Sequence, residues 1–153
     1  MEILHQDIAS IKKEINEFIH SWGEAWSPRE KAPEFQRERF TPFYLQTDEL
    51  LAFDFTDAQS RTVFKGAKIH ADTWELFVRN FQYWTFTPVP ESIQVYPHTD
   101  NAAVTLYVDN YGKTNNGKDG KEFRARAHAT LLLEKHNGRW VIVHENIWGP
   151  VNE

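Results

Sequence analysis

Phe123-Arg-Ala-Arg-Ala-His-Ala-Thr-Leu-Leu-Leu-Glu-Lys135, the corner His136-Asn-Gly138, and Arg139-Trp-Val-Ile-Val-His-Glu-Asn-Ile-Trp148 decide the fold of this chain. Two alternating runs about an Asn-Gly corner form a long β-hairpin. Side chains alternate across a strand, so Arg124, Arg126, His128 and Thr130 share one face, and Ala125, Ala127, Ala129 and Leu131 the other. The register of the returning strand depends on the turn, because a slip of one residue reverses every side chain. A two-residue Asn137-Gly138 loop, for which Asn-Gly is the strongest signal, sets His144 opposite Leu131 on the alanine face. A three-residue loop with Gly138 as a bulge sets Thr130 opposite His144, His128 opposite Asn146 and Arg126 opposite Trp148. The second is the register expected, since it gathers the polar groups on one face. Ala127, Ala129, Leu131, Leu133, Val141, Val143 and Ile147 then share the other.

Upstream, Ile8, Ile11, Ile15, Phe18, Ile19, Trp22 and Trp26 recur at helical spacing, so the chain opens with a long amphipathic helix. Ser27 before Pro28 caps a short second helix, interrupted by Pro33, which makes a compact helical lid reaching Tyr44. Leu50 to Phe55 is a short strand and Thr62 to Lys65 a second. A third helix begins near Ala67, with His70, Trp74, Phe77, Val78 and Phe81 on its buried face. Beyond the proline-rich loop Thr87-Pro-Val-Pro90 come strands near Ser92 to Tyr96 and Ala102 to Tyr111, a polar loop from Gly112 to Lys121, and the hairpin. The order implies a single α+β domain over residues 1–153, a curved, mainly antiparallel sheet packed by helices on one face. The alanine and leucine face is nearly all apolar and the opposite face adds Trp140 and Ile142, so both need cover. Helices cover the concave face, and the convex face is expected to meet a second copy of the chain as a homodimer, with Ala129 and Val143 as contact residues.

The 153 residues suffice for one domain with a sizeable core. A net charge of -5 without any basic run lacks the footprint that phosphate backbones require, so no nucleic-acid partner is expected. The absence of cysteine excludes disulfides, thiolate metal sites and cysteine nucleophiles. No secretory signal and no run of about 20 apolar residues is visible, so a cytoplasmic protein without a membrane partner is expected.

The paired N-terminal helices, the Phe53-Asp54 strand leading to Phe64-Lys-Gly66 and a helix, and above all Thr130-Leu-Leu-Leu-Glu-Lys-His-Asn-Gly-Arg-Trp-Val-Ile-Val-His144 resemble the nuclear transport factor 2-like superfamily. The match is to its SnoaL-like branch, related to ketosteroid isomerases and polyketide cyclases. Relatives often end histidine, any residue, histidine, any residue, serine. The matching positions here are His144, Asn146 and Trp148, so only the first is kept. Where relatives often carry an arginine, two residues before the threonine, this chain has His128, with Arg126 one step further on the same face. The resemblance implies a cone-shaped fold with a pocket between helices and sheet, and often a homodimer.

Two readings of function follow. In the first the protein binds a compact apolar carbonyl compound and acts as a cofactor-independent isomerase, cyclase or dehydratase, His144 or Asp54 moving the proton while Arg126 and His128 steady an oxyanion. His70, Tyr107, Trp74, Asn146, Thr130 and Trp148 complete the expected site, as ligands or wall. In the second it is a ligand-binding or dimerising association domain without turnover. Against either role, Asp54 and Arg126 could simply form ion pairs, and His70 could bond a neighbouring carbonyl. No histidine pair on one strand marks a metal, and no nucleotide fingerprint is present, so neither metal nor cofactor is expected.

Overall fold

A computed structural model describes residues 2–26, 36–54, 62–115 and 120–151. The second helix expected from Ser27, Pro28 and Pro33 lies outside the described residues. Helix α1 (Glu2–Trp26) turns Ile15, Ile19, Trp22 and Trp26 into the core, as its spacing requires. A short helix α2 (Arg37–Phe40) and one 3-10 turn (Thr41–Phe43) lead to Tyr44. Strands β1 (Leu51–Asp54) and β2 (Thr62–Lys65) precede helix α3 (Ala67–Val78). Then come β3 (Phe81–Pro88), β4 (Gln94–Pro97), β5 (Asn101–Thr114), β6 (Glu122–His136) and β7 (Arg139–Trp148).

The sheet runs β2-β1-β7-β6-β5-β3, with β4 also paired to β5. All pairings are antiparallel except β1 with β7, which sets Ala52 beside Glu145. The fold is the expected α+β one, helices packed on a curved, mainly antiparallel sheet. One strand escaped the sequence reading. Phe81 does not end α3 but starts β3, whose inward Trp84, Phe86 and Pro88 alternate correctly, although Pro88 and Pro90 had suggested a loop. Pro88 is tolerated because β3 is an edge strand, where a missing N–H leaves no second neighbouring strand unpaired.

The hairpin follows neither anticipated register. Asn137 and Gly138 both have positive φ, 51° and 77°, and His136 pairs with Arg139, so the corner is the tight two-residue turn. The register then shifts between Leu132 and Leu133: Leu133 faces Ile142 while Leu132 faces His144, leaving Val143 as an extra residue. Beyond this bulge Thr130 opposes Asn146 and His128 opposes Trp148, two residues away from the expected partners. Trp140 and Ile142 therefore join Leu131, Leu133 and Ile147 inside, and Glu145 comes with them.

The covered face is also the reverse of the one expected. Ala127, Ala129, Leu131 and Leu133 are all buried in the central core, so Ala129 packs inside the protein rather than against a second copy. The polar ladder from Arg124 to Thr130 faces outwards. Apolar burial decides this, because a continuous alanine and leucine surface gains far more from dry packing than a ladder of arginine, histidine and threonine.

Close approach of α1 to β3 depends on Gly23, where an added Cβ would collide with the Pro88 ring. Gly23→Ala should therefore lower the unfolding free energy by about 1–3 kcal/mol, the usual cost of overpacking. Urea titration of the two proteins measures this, and equal midpoints would show that α1 docks with slack.

Candidate active site

Alternation carries the inner face of the sheet through Ala52 to Asp54 on β1 and through Ile147 to Glu145 on β7. His70 enters from α3 one turn before Trp74. Asp54, His70 and Glu145 are 0, 1 and 0 % exposed. The His70 Nε2 atom stands 2.8 Å from Glu145 Oε2 and 3.3 Å from Asp54 Oδ2. Tyr44 donates its hydroxyl to Glu145 Oε1 at 2.6 Å and accepts the Trp22 indole N–H at 2.8 Å. Trp74 donates its own N–H to Asp54 Oδ2 at 3.0 Å. Phe40 stacks against the His70 ring at 5.5 Å, and Trp26 packs edge-on to Trp74 at 4.2 Å.

Two carboxyl groups and an imidazole in a dry interior cannot all keep their usual charges. Burial, reinforced by the Glu145 charge, pushes Asp54 well above the usual carboxylate range. Burial pulls on Glu145 in the same direction, but the His70 charge and hydrogen bonds from His70, Asp54 and Tyr44 outweigh it and hold Glu145 low. Burial alone would depress His70, yet Glu145 and Asp54 outweigh that and raise it to about 9. Burial and the neighbouring Glu145 push the Tyr44 hydroxyl well above its usual value. Asp54 is thus driven towards its neutral acid, while the His70 imidazolium and the Glu145 carboxylate hold each other charged. Groups whose proton affinities are driven apart in this way form a matched acid and base set.

Of the expected site residues, the structure brings Asp54, His70 and Trp74 together on the inner face. It places Tyr107, Arg126, His128, Thr130, His144, Asn146 and Trp148 on the outer face instead, across the thickness of the sheet. Arg126 is held there by Asp109 through two hydrogen bonds, 2.8 and 3.2 Å. His144 Nδ1 lies 2.9 Å from the Leu51 carbonyl, and His128 sits between the rings of Tyr107 and Trp148. The two groups therefore do not form one site. Tyr44, Trp22 and Glu145 were missed as members of the inner cluster. A signal for Glu145 was present: Ile142 and Ile147 are both obligate core residues an odd number of positions apart, which requires a bulge between them. Asp54, His70 and Glu145 also supply three potential ligand atoms within 4.8 Å of one another, a metal-competent set that strand spacing could not reveal.

The family model for the SnoaL-like domain matches residues 15–147, so the chain belongs to the SnoaL-like family. No curated protein matches the sequence significantly. Among solved structures, a nuclear transport factor 2-like superfamily protein from Salmonella enterica serovar Typhimurium LT2 is similar with a TM-score of 0.76 at 15 % identity, over 95 % of this chain and 94 % of that one. A hexachlorocyclohexane dehydrochlorinase from Novosphingobium barchaimii LL02 gives 0.71 at 12 %, over 94 and 89 %. A dehydratase-like protein from Streptomyces avermitilis gives 0.73 at 14 %, over 92 and 97 %. At such identities these likenesses establish the fold. Among the described residues no helix is long and apolar enough to cross a membrane.

The raised His70 value has a consequence for stability. Its protonated form is favoured by folding, so its contribution is complete below the unfolded value of 6.5 and is lost as pH rises through about 9. Unfolding free energy should fall by on the order of 3 kcal/mol across that window, a difference that urea titration resolves. Asp54, also raised, acts in the same direction from lower pH, whereas Glu145 loses its contribution only in acid. In His70→Gln the alkaline loss should disappear, and its persistence there would place the titrating group elsewhere.

Proposed function

We propose that this SnoaL-like protein binds a compact, largely apolar carbonyl compound and moves a proton beside its carbonyl, as a cofactor-independent isomerase, cyclase or dehydratase. The observation that carries this reading is His70 Nε2 poised between Glu145 and Asp54. The cluster replaces the assignment of the proton to His144 and of oxyanion support to Arg126 and His128. In this scheme the Glu145 carboxylate accepts the proton, while the His70 imidazolium, with Asp54 and Tyr44, supplies hydrogen-bond donors to a developing oxyanion or leaving hydroxyl. The aromatic surround of Phe40, Trp26 and Trp74 suits an apolar substrate body. Dehydrochlorination and dehydration, the reactions in the names of two structural neighbours, are both eliminations served by such a pair.

The test uses a panel of β-hydroxy and β,γ-unsaturated cyclic ketones in deuterated buffer, followed by NMR. Exchange or elimination above the buffer rate is expected, reduced at least a hundredfold in His70→Ala and unchanged in His144→Ala. A folded wild-type protein inert towards the whole panel, or a His70→Ala variant as active as wild type, would sink the proposal.

The second reading, association, draws on the outer face. Tyr107, Trp148 and Leu132 are 37, 38 and 41 % exposed there, and the buried atoms His128 Nδ1 and Asn146 Oδ1 have no hydrogen-bond partner. We propose that a second copy of the chain covers this face in a two-fold dimer. Light scattering should give twice the monomer mass, reduced to one monomer mass by Leu132→Asp. A monomeric wild-type protein at micromolar concentration would reject the dimer.

A further inference from the structure

We infer that Asp54, His70 and Glu145 form a binding site for one divalent transition-metal ion, for which Zn2+ is the best match. The three residues come from β1, α3 and β7, and each offers one ligand atom within 4.8 Å of the others. Donors on a tetrahedral zinc with bonds of about 2.0–2.1 Å lie roughly 3.4 Å apart. The separation of His70 Nε2 from Asp54 Oδ2 is already 3.3 Å, and the 2.8 Å contact to Glu145 Oε2 needs to open by only about half an ångström to match.

A second observation points to the same site. Asp54 Oδ1 is buried and accepts no hydrogen bond, although buried carboxylate oxygens are ordinarily satisfied. A cation that also touches Oδ1 would take those idle lone pairs, since Oδ2, the oxygen nearest His70, already accepts the Trp74 N–H. The outer support is already in place, since Trp74 N–H and the Tyr44 hydroxyl hold one oxygen of Asp54 and of Glu145 respectively. Charge also balances, because two carboxylates and a neutral imidazole carry two negative charges that one divalent ion cancels. Calcium and magnesium fit poorly: they prefer six or more oxygen ligands, whereas this site leads with an imidazole nitrogen. Ion and proton are alternative ways of neutralising the same buried groups. A bound metal would occupy the Glu145 lone pair that accepts the proton, so zinc would inhibit the proposed reaction, whereas failure to bind zinc would leave that reaction standing.

The experiment is calorimetric titration of the EDTA-treated, dialysed protein with zinc chloride, with calcium chloride as comparator. One zinc per chain is expected with no calcium response, and Asp54→Asn, an isosteric change that keeps the Trp74 hydrogen bond, should weaken zinc binding at least tenfold. Anomalous diffraction from zinc-soaked wild-type crystals locates the ion without relying on any variant. Failure of the wild-type protein to bind zinc, affinity unchanged in a folded Asp54→Asn, or an ion found only at surface histidines would each overturn the inference.

Discussion

A carboxylate withdrawn completely from water must be repaid with charge and hydrogen bonds, and in this chain that carboxylate is Glu145. Its two oxygens are taken by Tyr44 and His70, which ties β7 to the segment after α2 and to α3. Trp22 extends the same chain of hydrogen bonds to α1 through Tyr44. Asp54 joins from β1 and is anchored again to α3 by Trp74. Three otherwise separate layers of helix are thus referred to one point on the sheet. Removing one partner alone leaves an uncompensated charge in the interior, which is far costlier than the net value of the pair.

Glu145 reaches that position only because of the bulge at Val143. A two-residue Asn-Gly turn fixes the near end of the hairpin, and an unbroken ladder from it would turn Glu145 outwards and Ile147 with it. Burying both Ile142 and Ile147 requires the strand to slip once between them. The cost of one unpaired residue in the ladder is small beside the burial of an isoleucine, which is worth about 1.5–3 kcal/mol. The polar cluster is therefore a consequence of apolar packing further along the same strand.

This explains which parts of the protein were legible in its sequence. The spacing of Ile15, Ile19, Trp22 and Trp26 announced α1, and Asn137-Gly138 announced the hairpin, because each signal is local. Asp54 and His70 were recognisable as candidates, since an acid in an apolar strand and a histidine one turn from Trp74 both stand out. Their meeting with Glu145 was not, because it depends on a parallel pairing of β1 with β7 and on a bulge, neither of which has a local signature. The outer ladder misled for a related reason. Arg126, His128 and Thr130 do share a face, but alternation says only that residues lie together and not whether that face turns to helices or to solvent. The alanine run held the answer, as small and aliphatic residues at alternate positions form a surface that belongs in the buried core.

The same coupling limits how the inner cluster can be altered. His70 stays charged because Glu145 is ionised, Glu145 stays ionised because His70 and Tyr44 support it, and Asp54 is driven towards its neutral form by burial and by the Glu145 charge. No member has a protonation state of its own. A ligand, a metal ion or a neighbouring substitution that changes one group redistributes protons among all three, and the helices hydrogen-bonded to them feel the change. An acid and base set built this way is pre-organised by the fold, since the side chains that would act on a substrate are those that hold α3 and Tyr44 against the sheet. Outer-face residues such as Arg126 and His144 are free of this constraint. Each satisfies its bonds locally, with Asp109 and with the Leu51 carbonyl, so substitutions on that face leave the inner cluster's hydrogen bonds in place.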